Sequence, residues 1–186
     1  PHSSLGILDG KISFLGPDEK APNAATDIVD AGGRALLPGL VDPHTHLVFG
    51  GSRVDEFARR MAGEDYRKIA AEGGGIASTV RQTRATSDEL LFEAAKRRAL
   101  SMRRRGVTCV EVKSGYGLSL QDELRSLRIA QKLDTDGVIR TSPTFLGAHS
   151  IPPEYRDDRE GYLDLVINEM LPAVAAENLA LACDVY

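Results

Sequence analysis

The stretch Leu37-Pro38-Gly39-Leu40-Val41-Asp42-Pro43-His44-Thr45-His46 marks the point at which the character of the chain changes. After a Pro-Gly turn, Leu40–Val48 has the composition of a strand. Pro43 has no N–H to donate within a sheet, so the functional end of this strand is expected at a sheet or barrel rim. Residues two apart on a strand point to the same face, so His44 and His46 can converge on one metal ion. Imidazole suits zinc or iron, and a catalytic site also needs further protein ligands and an open position for water.

Strands and helices alternate regularly downstream of this first strand. Predicted strands cover Val107–Val112, Ile139–Leu146 and Leu179–Tyr186; predicted helices run from an N-cap at Ser87 through Met102, over Asp122–Leu133 and over Gly161–Glu177. Strands that alternate with helices of this length indicate parallel βαβ units. Four such strands fit either an open doubly wound sheet or half of an eight-stranded barrel. No GxGxxG follows the first strand, which disfavours a dinucleotide-binding fold.

Upstream of Pro38 the sequence favours short β structure. Leu5–Leu15 is predicted to form a hairpin, because Asp9-Gly10 favours a two-residue type I′ turn. Asp27–Leu37 is predicted to form a second hairpin around Gly32-Gly33. The chain is therefore expected to begin with a small all-β block.

Composition and charge narrow the class of protein. Of 186 residues, 42% are hydrophobic and 27% charged, as in ordinary globular proteins. No apolar run approaches the ~20 residues of a membrane-spanning helix, so no membrane partner is expected. The net charge is −4 without a basic stripe, which argues against nucleic acid. The run Arg103-Arg104-Arg105 is interpreted as the end of a helix, where cations complement the helix dipole.

The two cysteines and the first residues of the chain indicate the cellular compartment. Cys109 and Cys183 lie in apolar, strand-like runs and fit no CxxC metal spacing, so both are predicted to be small buried thiols. A cytoplasmic enzyme is the expected setting for such a chain. The opening residues lack a secretory signal, and the first residue is Pro1 rather than Met, so we expect that the natural N-terminus is missing.

Several motifs resemble a known superfamily. The run Leu37–His46 resembles the entry signature of the amidohydrolase superfamily, in which a small β-sandwich leads into a metal-bearing (β/α)8 barrel. Four later segments extend the resemblance: Phe49-Gly50-Gly51-Ser52-Arg53 with Glu56-Phe57, Gly73-Gly74-Gly75-Ile76 with Thr79-Val80 and Thr83-Arg84, Glu111-Val112-Lys113-Ser114-Gly115-Tyr116-Gly117-Leu118, and Thr144-Phe145-Leu146-Gly147-Ala148-His149-Ser150-Ile151-Pro152. Together with the first run they cover the chain from about Pro38 to its end and resemble one family within the superfamily, imidazolonepropionase.

The resemblance implies a fold. Residues 1–37 would be part of the β-sandwich, and residues 38–186 the first part of the (β/α)8 barrel. It also implies hydrolysis of the ring C–N bond of 4-imidazolone-5-propanoate to N-formimidoyl-L-glutamate by metal-activated water, in histidine degradation. The full-length protein is expected to be a homodimer.

The resemblance further assigns site residues. His44 and His46 would be two ligands of a single zinc or iron ion. Arg53, Tyr66, Tyr116 and His149 would bind the substrate. Arg53 offers a planar fork that can grip the substrate's propionate carboxylate. His149 is assigned to substrate contact, with a third metal ligand as the alternative.

The remaining metal ligands, a His and an Asp, and the acid/base residues are expected beyond residue 186. The chain alone is therefore predicted to be inactive. Two alternatives stay open: another cyclic amidohydrolase or deaminase, and a non-catalytic barrel fragment. Lys113 follows the second barrel strand and is interpreted as a structural cation, or as one that supports the metal ligands without binding the metal, rather than as a carboxylated metal bridge.

Overall fold

The computed structural model describes residues 3–23 and 25–186. They form two compact units that divide between Pro38 and Gly39. The smaller unit contains an antiparallel hairpin of β1 (Ser3–Leu8) and β2 (Lys11–Pro17). Asp9 and Gly10 join the strands with φ angles of 51° and 72°. A type I′ turn needs positive φ at both central residues, so this part of the sequence prediction is confirmed.

The second predicted hairpin is wrong. A turn is present at Gly32-Gly33, but no strand forms on either side of it between Asp27 and Leu37. Ile28 and Val29 are 86% and 90% exposed, so a strand here would bury little apolar surface. Gly32 and Gly33 therefore form a turn, but the residues beside them do not provide the buried apolar surface that strand pairing requires.

The larger unit is built on a four-stranded parallel sheet in the order β3-β4-β5-β6. The strands span Leu40–Thr45, Val107–Lys113, Arg140–Ala148 and Ala182–Val185. Each strand pairs with the next one in the chain, as in one arc of a barrel. The α/β class and the parallel sheet are therefore as predicted. Pro43 lies on the outermost strand, and the ladder to β4 is interrupted between Asp42 and Thr45, as expected for a residue without an N–H.

Helices connect the strands. Three short helices, α1 (Val54–Met61), α2 (Tyr66–Ala71) and α3 (Gly75–Ala85), precede α4 (Asp88–Arg103); α5 (Leu120–Thr135) joins β4 to β5; and α6 (Arg159–Leu165), a π-helical turn (Val166–Met170) and α7 (Leu171–Ala176) join β5 to β6. The predicted cap is present, because the Ser87 side chain accepts a hydrogen bond from the Leu90 amide.

The predicted helix Gly161–Glu177 is interrupted. Pro172, in the first turn of α7, cannot donate a backbone hydrogen bond, and the π-helical turn lies immediately before that helix. The cysteine prediction is also corrected. Both thiols are free, but Cys109 is only half-buried and Cys183 is exposed, because β6 is an outer strand of this sheet.

Two apolar clusters hold the helices on the sheet. The first joins α4, α5 and β4 through residues such as Leu91, Val110 and Leu133. The second joins α5, β5 and the π-helical turn through residues such as Phe145 and Met170. Helix α5 contributes to both clusters and so packs against both β4 and β5. Within residues 3–23 and 25–186, no helix has the length and apolar character needed to cross a bilayer.

Leu133→Ala is expected to lower the free energy of unfolding by ~2–5 kcal/mol, because it removes a fully buried side chain from the first cluster. Chemical denaturation measures the change. Leu90→Ala is the matched control, since Leu90 is largely exposed on α4 and should change stability little. Equal losses for the two variants would show that Leu133 is not in the core.

Candidate active site

The predicted functional side chains lie at the carboxyl ends of consecutive parallel strands. His46 follows the end of β3, Tyr116 lies in the loop after β4, and His149 follows β5. In parallel α/β folds this edge of the sheet carries the working residues. Residues more than 100 positions apart in the sequence are therefore brought together.

Aromatic rings of these residues form a cluster around His46. Its ring centroid lies 4.6 Å from that of His149, nearly parallel at 13°, and 4.7 Å from that of Tyr116. Tyr116 and His149 are 5.4 Å apart. The centroids of His44 and His46 are separated by 5.8 Å. The two imidazoles of the HxH motif thus lie next to each other, with His44 exposed and His46 half-buried.

His46 is held in a state suited to binding a cation. Burial, together with the electrostatic effect of the neighbouring imidazoles of His149 and His44, lowers the pKa of His46 to about 4. The ring is therefore neutral at physiological pH. Its Nδ1 is buried and has no hydrogen-bond partner within the described part of the chain. A buried, unsatisfied nitrogen is costly, and a bound ligand would offset this cost.

The orientation of His149 is fixed by the loop after β4. Its Nδ1 lies 2.9 Å from the carbonyl oxygen of Gly115. A carbonyl can only accept, so Nδ1 carries the proton and, in the neutral ring, Nε2 keeps a free lone pair. His149 can therefore accept a hydrogen bond from a molecule in the site.

Arg53 and Tyr116 share a cleft with His46. Phe49, Gly50, Ser52 and Thr79 complete the lining of this cleft, whose volume is about 230 Å³. Burial raises the pKa of the Tyr116 hydroxyl, and the positive charge of Arg53 opposes this shift. The phenol is therefore a hydrogen-bond donor at neutral pH. Arg53 lies at the N-cap of α1 with its side chain exposed, free to reach an anion.

Tyr66 lies outside the cleft that Arg53, Tyr116 and His46 line. It begins α2, is 44% exposed and does not line the cleft. Its hydroxyl lies near Gly75, whose φ of 65° and lack of a side chain permit this approach. The structure thus gathers His46, Arg53, Tyr116 and His149, while Tyr66 stays at the periphery.

Lys113 is engaged in ion pairs. Its Nζ lies 3.0 Å from Glu111 and 2.9 Å from Asp184, across three strands. Glu111 also accepts a hydrogen bond from Thr144. These contacts connect β4 to both β5 and β6.

Some contributors escaped the sequence prediction. Tyr186 follows β6 as the other site residues follow their strands, and its ring lies 5.8 Å from that of His149; this regularity could have indicated it. Arg98 donates to the carbonyls of Leu47 and Phe49 and stacks 3.5 Å over the Phe49 ring. No sequence signal relates Arg98 to a segment about 50 residues away.

The imidazoles of His44 and His46 provide only part of the ligand set that a metal ion needs. Two neighbouring imidazoles, one with an unsatisfied buried nitrogen, fit zinc or iron. Within residues 3–23 and 25–186, however, no group of three or more His, Cys, Asp or Glu side chains could hold a metal ion. The residues present therefore fit two ligands of an ion that requires others.

A parallel sheet with polar side chains gathered at the carboxyl ends of its strands is the arrangement of α/β enzymes. No model of a known protein family matches the chain. Individual curated proteins do match the chain. The imidazolonepropionases of Shewanella frigidimarina, Caulobacter vibrioides and Symbiobacterium thermophilum are, respectively, 49%, 53% and 50% identical to it over 189, 181 and 192 residues. The chain is thus similar to imidazolonepropionases along nearly its whole length.

These alignments cover 97–100% of the chain but only 45–46% of each relative. The chain thus spans about half the length of the curated relatives that it matches. It corresponds to their N-terminal portion.

Proposed function

We propose that the full-length protein carrying this chain hydrolyses the ring C–N bond of 4-imidazolone-5-propanoate and yields N-formimidoyl-L-glutamate. The observation that carries the proposal is the clustering of His46, Tyr116 and His149 in and beside the cleft that Arg53 lines. The names of relatives about 50% identical support the same reaction. The reaction belongs to histidine degradation.

His44 and His46 would hold one zinc or iron ion, together with ligands from outside the described residues. When bound, such an ion lowers the pKa of water from ~15.7 towards ~7 and so makes hydroxide available at neutral pH. The low pKa of His46 keeps its ring neutral, as a metal ligand must be. Removal of the metal with a chelator should abolish the activity, and zinc or iron should restore it.

Arg53 would bind the propionate carboxylate of the substrate through its guanidinium group. Tyr116 would donate its hydroxyl hydrogen to a carboxylate or ring oxygen. His149, with its proton on Nδ1, would accept a hydrogen bond at Nε2 from a ring N–H. Three anchors on separate elements would fix the position and the rotation of a small, planar ring. Tyr66 would contribute only from the edge of the site.

Arg53→Ala is expected to raise KM for imidazolone propionate by roughly 10- to 100-fold, because a hydrogen bond to a charged group contributes about 1.5–3 kcal/mol. Steady-state kinetics of the full-length protein measure it. Arg97→Ala is the matched control, since Arg97 is exposed on α4 and does not line the cleft. An unchanged KM in Arg53→Ala would show that Arg53 does not bind the carboxylate.

The decisive test of the reaction is substrate profiling of the full-length protein. Loss of the absorbance of imidazolone propionate, with formation of formimidoyl-glutamate, is expected. Turnover of another cyclic amide or of an aminated heterocycle, with imidazolone propionate left intact, would favour a different amidohydrolase or a deaminase. No turnover of any of these by the metal-loaded protein would favour a non-catalytic role.

The proposal extends to architecture and assembly. The four parallel strands would form half of a (β/α)8 barrel, and the β1–β2 hairpin part of a small β-sandwich. We also propose a homodimer in the cytoplasm, with a small-molecule substrate and neither nucleic acid nor membrane as partner. Sedimentation of the full-length protein would test the dimer.

A further inference from the structure

A buried carboxylate lies behind the loop that carries Tyr116. The Glu123 side chain, on the first turns of α5, is fully buried. Its Oε1 accepts hydrogen bonds from the backbone N–H groups of Gly117 (2.9 Å) and Leu118 (2.8 Å), and both its oxygens accept from Gly115 (3.1 and 3.0 Å). No salt bridge to it is present among the described residues. Burial raises the pKa of Glu123, and hydrogen bonds from the Ser114 side chain and from these N–H groups lower it in part.

The same loop is held from its other side by Arg84 on α3. Its Nε donates to the carbonyl oxygen of Gly117 at 2.7 Å, and its Nη2 donates to that of Leu118 at 2.9 Å. Arg84 is in turn fixed by an ion pair with Glu154 at 2.7 Å. Glu123 therefore binds the amide hydrogens of the loop, and Arg84 binds its carbonyl oxygens. We call this pair the loop clamp.

The clamped loop fixes two of the candidate substrate-binding residues. Tyr116 lies between the two glycines whose N–H groups Glu123 binds. The carbonyl of Gly115 accepts the Nδ1 proton of His149. Gly115 has a φ of 103°, and a Cβ there would lie only 2.8 Å from the Cβ of His149. The position of this one peptide therefore sets both the place of the His149 ring and the tautomer that leaves its Nε2 free.

We propose that Glu123 is a positioning residue of this active site: it holds the Gly115–Leu118 loop so that Tyr116 and His149 face the substrate in fixed orientation. This inference rests on the proposed function for its kinetic consequence. All four hydrogen bonds of Glu123 to backbone amides go to the loop and none to its own helix. An apolar side chain could fill the same space but could not bind three loop amides. The carboxylate therefore specifies loop geometry in addition to filling the core.

The test compares two substitutions on the same helix in the full-length protein. Glu123→Gln keeps the volume of the side chain but replaces one acceptor oxygen with an NH2 group, which would oppose the amide of Gly115. Leu133→Ala destabilises α5 from the first apolar cluster, away from the loop. Glu123→Gln is expected to lower kcat/KM by about 100-fold, since small misplacements of substrate-orienting groups have effects of this size. Leu133→Ala should leave kcat/KM close to that of the unsubstituted protein, even at an equal loss of thermal stability.

The tautomer of His149 gives a readout that does not depend on activity. Long-range ¹H–¹⁵N spectra of histidine-labelled protein should show His149 with its proton on Nδ1 in the unsubstituted protein and in Leu133→Ala. In Glu123→Gln the signal should shift towards a mixture of tautomers. If the unsubstituted protein does not turn over imidazolone propionate while the tautomer shifts as described, the proposed function fails and the positioning role stands.

Two results would overturn the inference. One is a Glu123→Gln protein with unchanged kcat/KM and an unchanged His149 tautomer. The other is a loss of activity that follows thermal stability equally in both variants. If Glu123→Gln does not fold, Arg84→Lys tests the clamp from its other side, because lysine cannot donate to both carbonyls in the planar geometry of arginine. Its control is Glu154→Gln, which removes only the ion pair; equal activity of these two variants would also contradict the clamp.

Discussion

Substitution of His46 by alanine in the full-length protein is expected to lower turnover of imidazolone propionate by more than about 100-fold and to remove most of the bound metal. Residues that merely orient a metal ligand affect metal affinity or activity by about 10- to 100-fold, so loss of a ligand itself should exceed that range. His46 is also the centre of the ring cluster, in contact distance of both Tyr116 and His149. Elemental analysis and steady-state kinetics measure the two effects, and the analysis identifies the metal as zinc or iron.

Val48→Ala controls for packing in the same segment. Val48 lies two residues further along and is buried in the first apolar cluster, but it offers no donor nitrogen. This variant should lose stability while it keeps its metal. Full metal content and normal turnover in His46→Ala would show that the HxH motif is not a metal site, and the hydrolase proposal would then lose its chemical basis.

Local signals predicted most of the secondary structure. Ser87 caps α4, Asp9-Gly10 forms the first turn, and the β-branched run Val107–Val112 is β4, because each depends on neighbours within a few residues. The second hairpin failed because Gly32-Gly33 can form a turn whether or not the flanking chain finds a strand partner. Strand pairing depends on tertiary burial, which a local pattern does not contain.

For a related reason, only some of the contacts in the candidate site could be predicted from the sequence. His44 lies on β3 and His46 directly follows it, two residues further along, so their proximity follows from the geometry of extended backbone. The contact of His46 with His149 joins β3 to β5 and depends on sheet order. The loop clamp depends on contacts between α3, α5 and a loop, and nothing in the sequence around Arg84 or Glu123 indicates their shared target. Motifs thus supplied the candidate residues of the site, whereas the contacts that support those residues could be found only from the fold.

The 186-residue chain alone is expected to show no measurable metal-dependent ring opening, and mixing with the complementary segment of a relative should restore it. Within the described residues no group of three or more His, Cys, Asp or Glu side chains could hold a metal ion, so a stably held, activated metal ion is not expected. The chain also corresponds to less than half of the relatives' length. The missing ligands are expected in the other part.

Sheet geometry gives the physical reason why two such segments should associate. In the described part of the chain, β3 and β6 each have one strand neighbour, so each presents unpaired N–H and C=O groups along its other side. Val185 and Tyr186 at the end of β6 are 75% and 91% exposed. Unpaired strand edges of this kind promote pairing with another chain. The isolated chain should therefore self-associate with rising concentration in sedimentation experiments, and the complementary segment should compete with that self-association.

Co-expression with the complementary segment of the Caulobacter vibrioides relative, which is 53% identical to the chain where they align, provides the assay. Turnover is expected only when both segments are present, and a His46→Ala chain should form the same complex without activity. That variant separates assembly from chemistry, because it keeps both strand edges and lacks only the metal ligand. Metal-dependent ring opening by the 186-residue chain on its own would contradict the prediction, since it would mean that two histidines and the described residues suffice for a catalytic metal site.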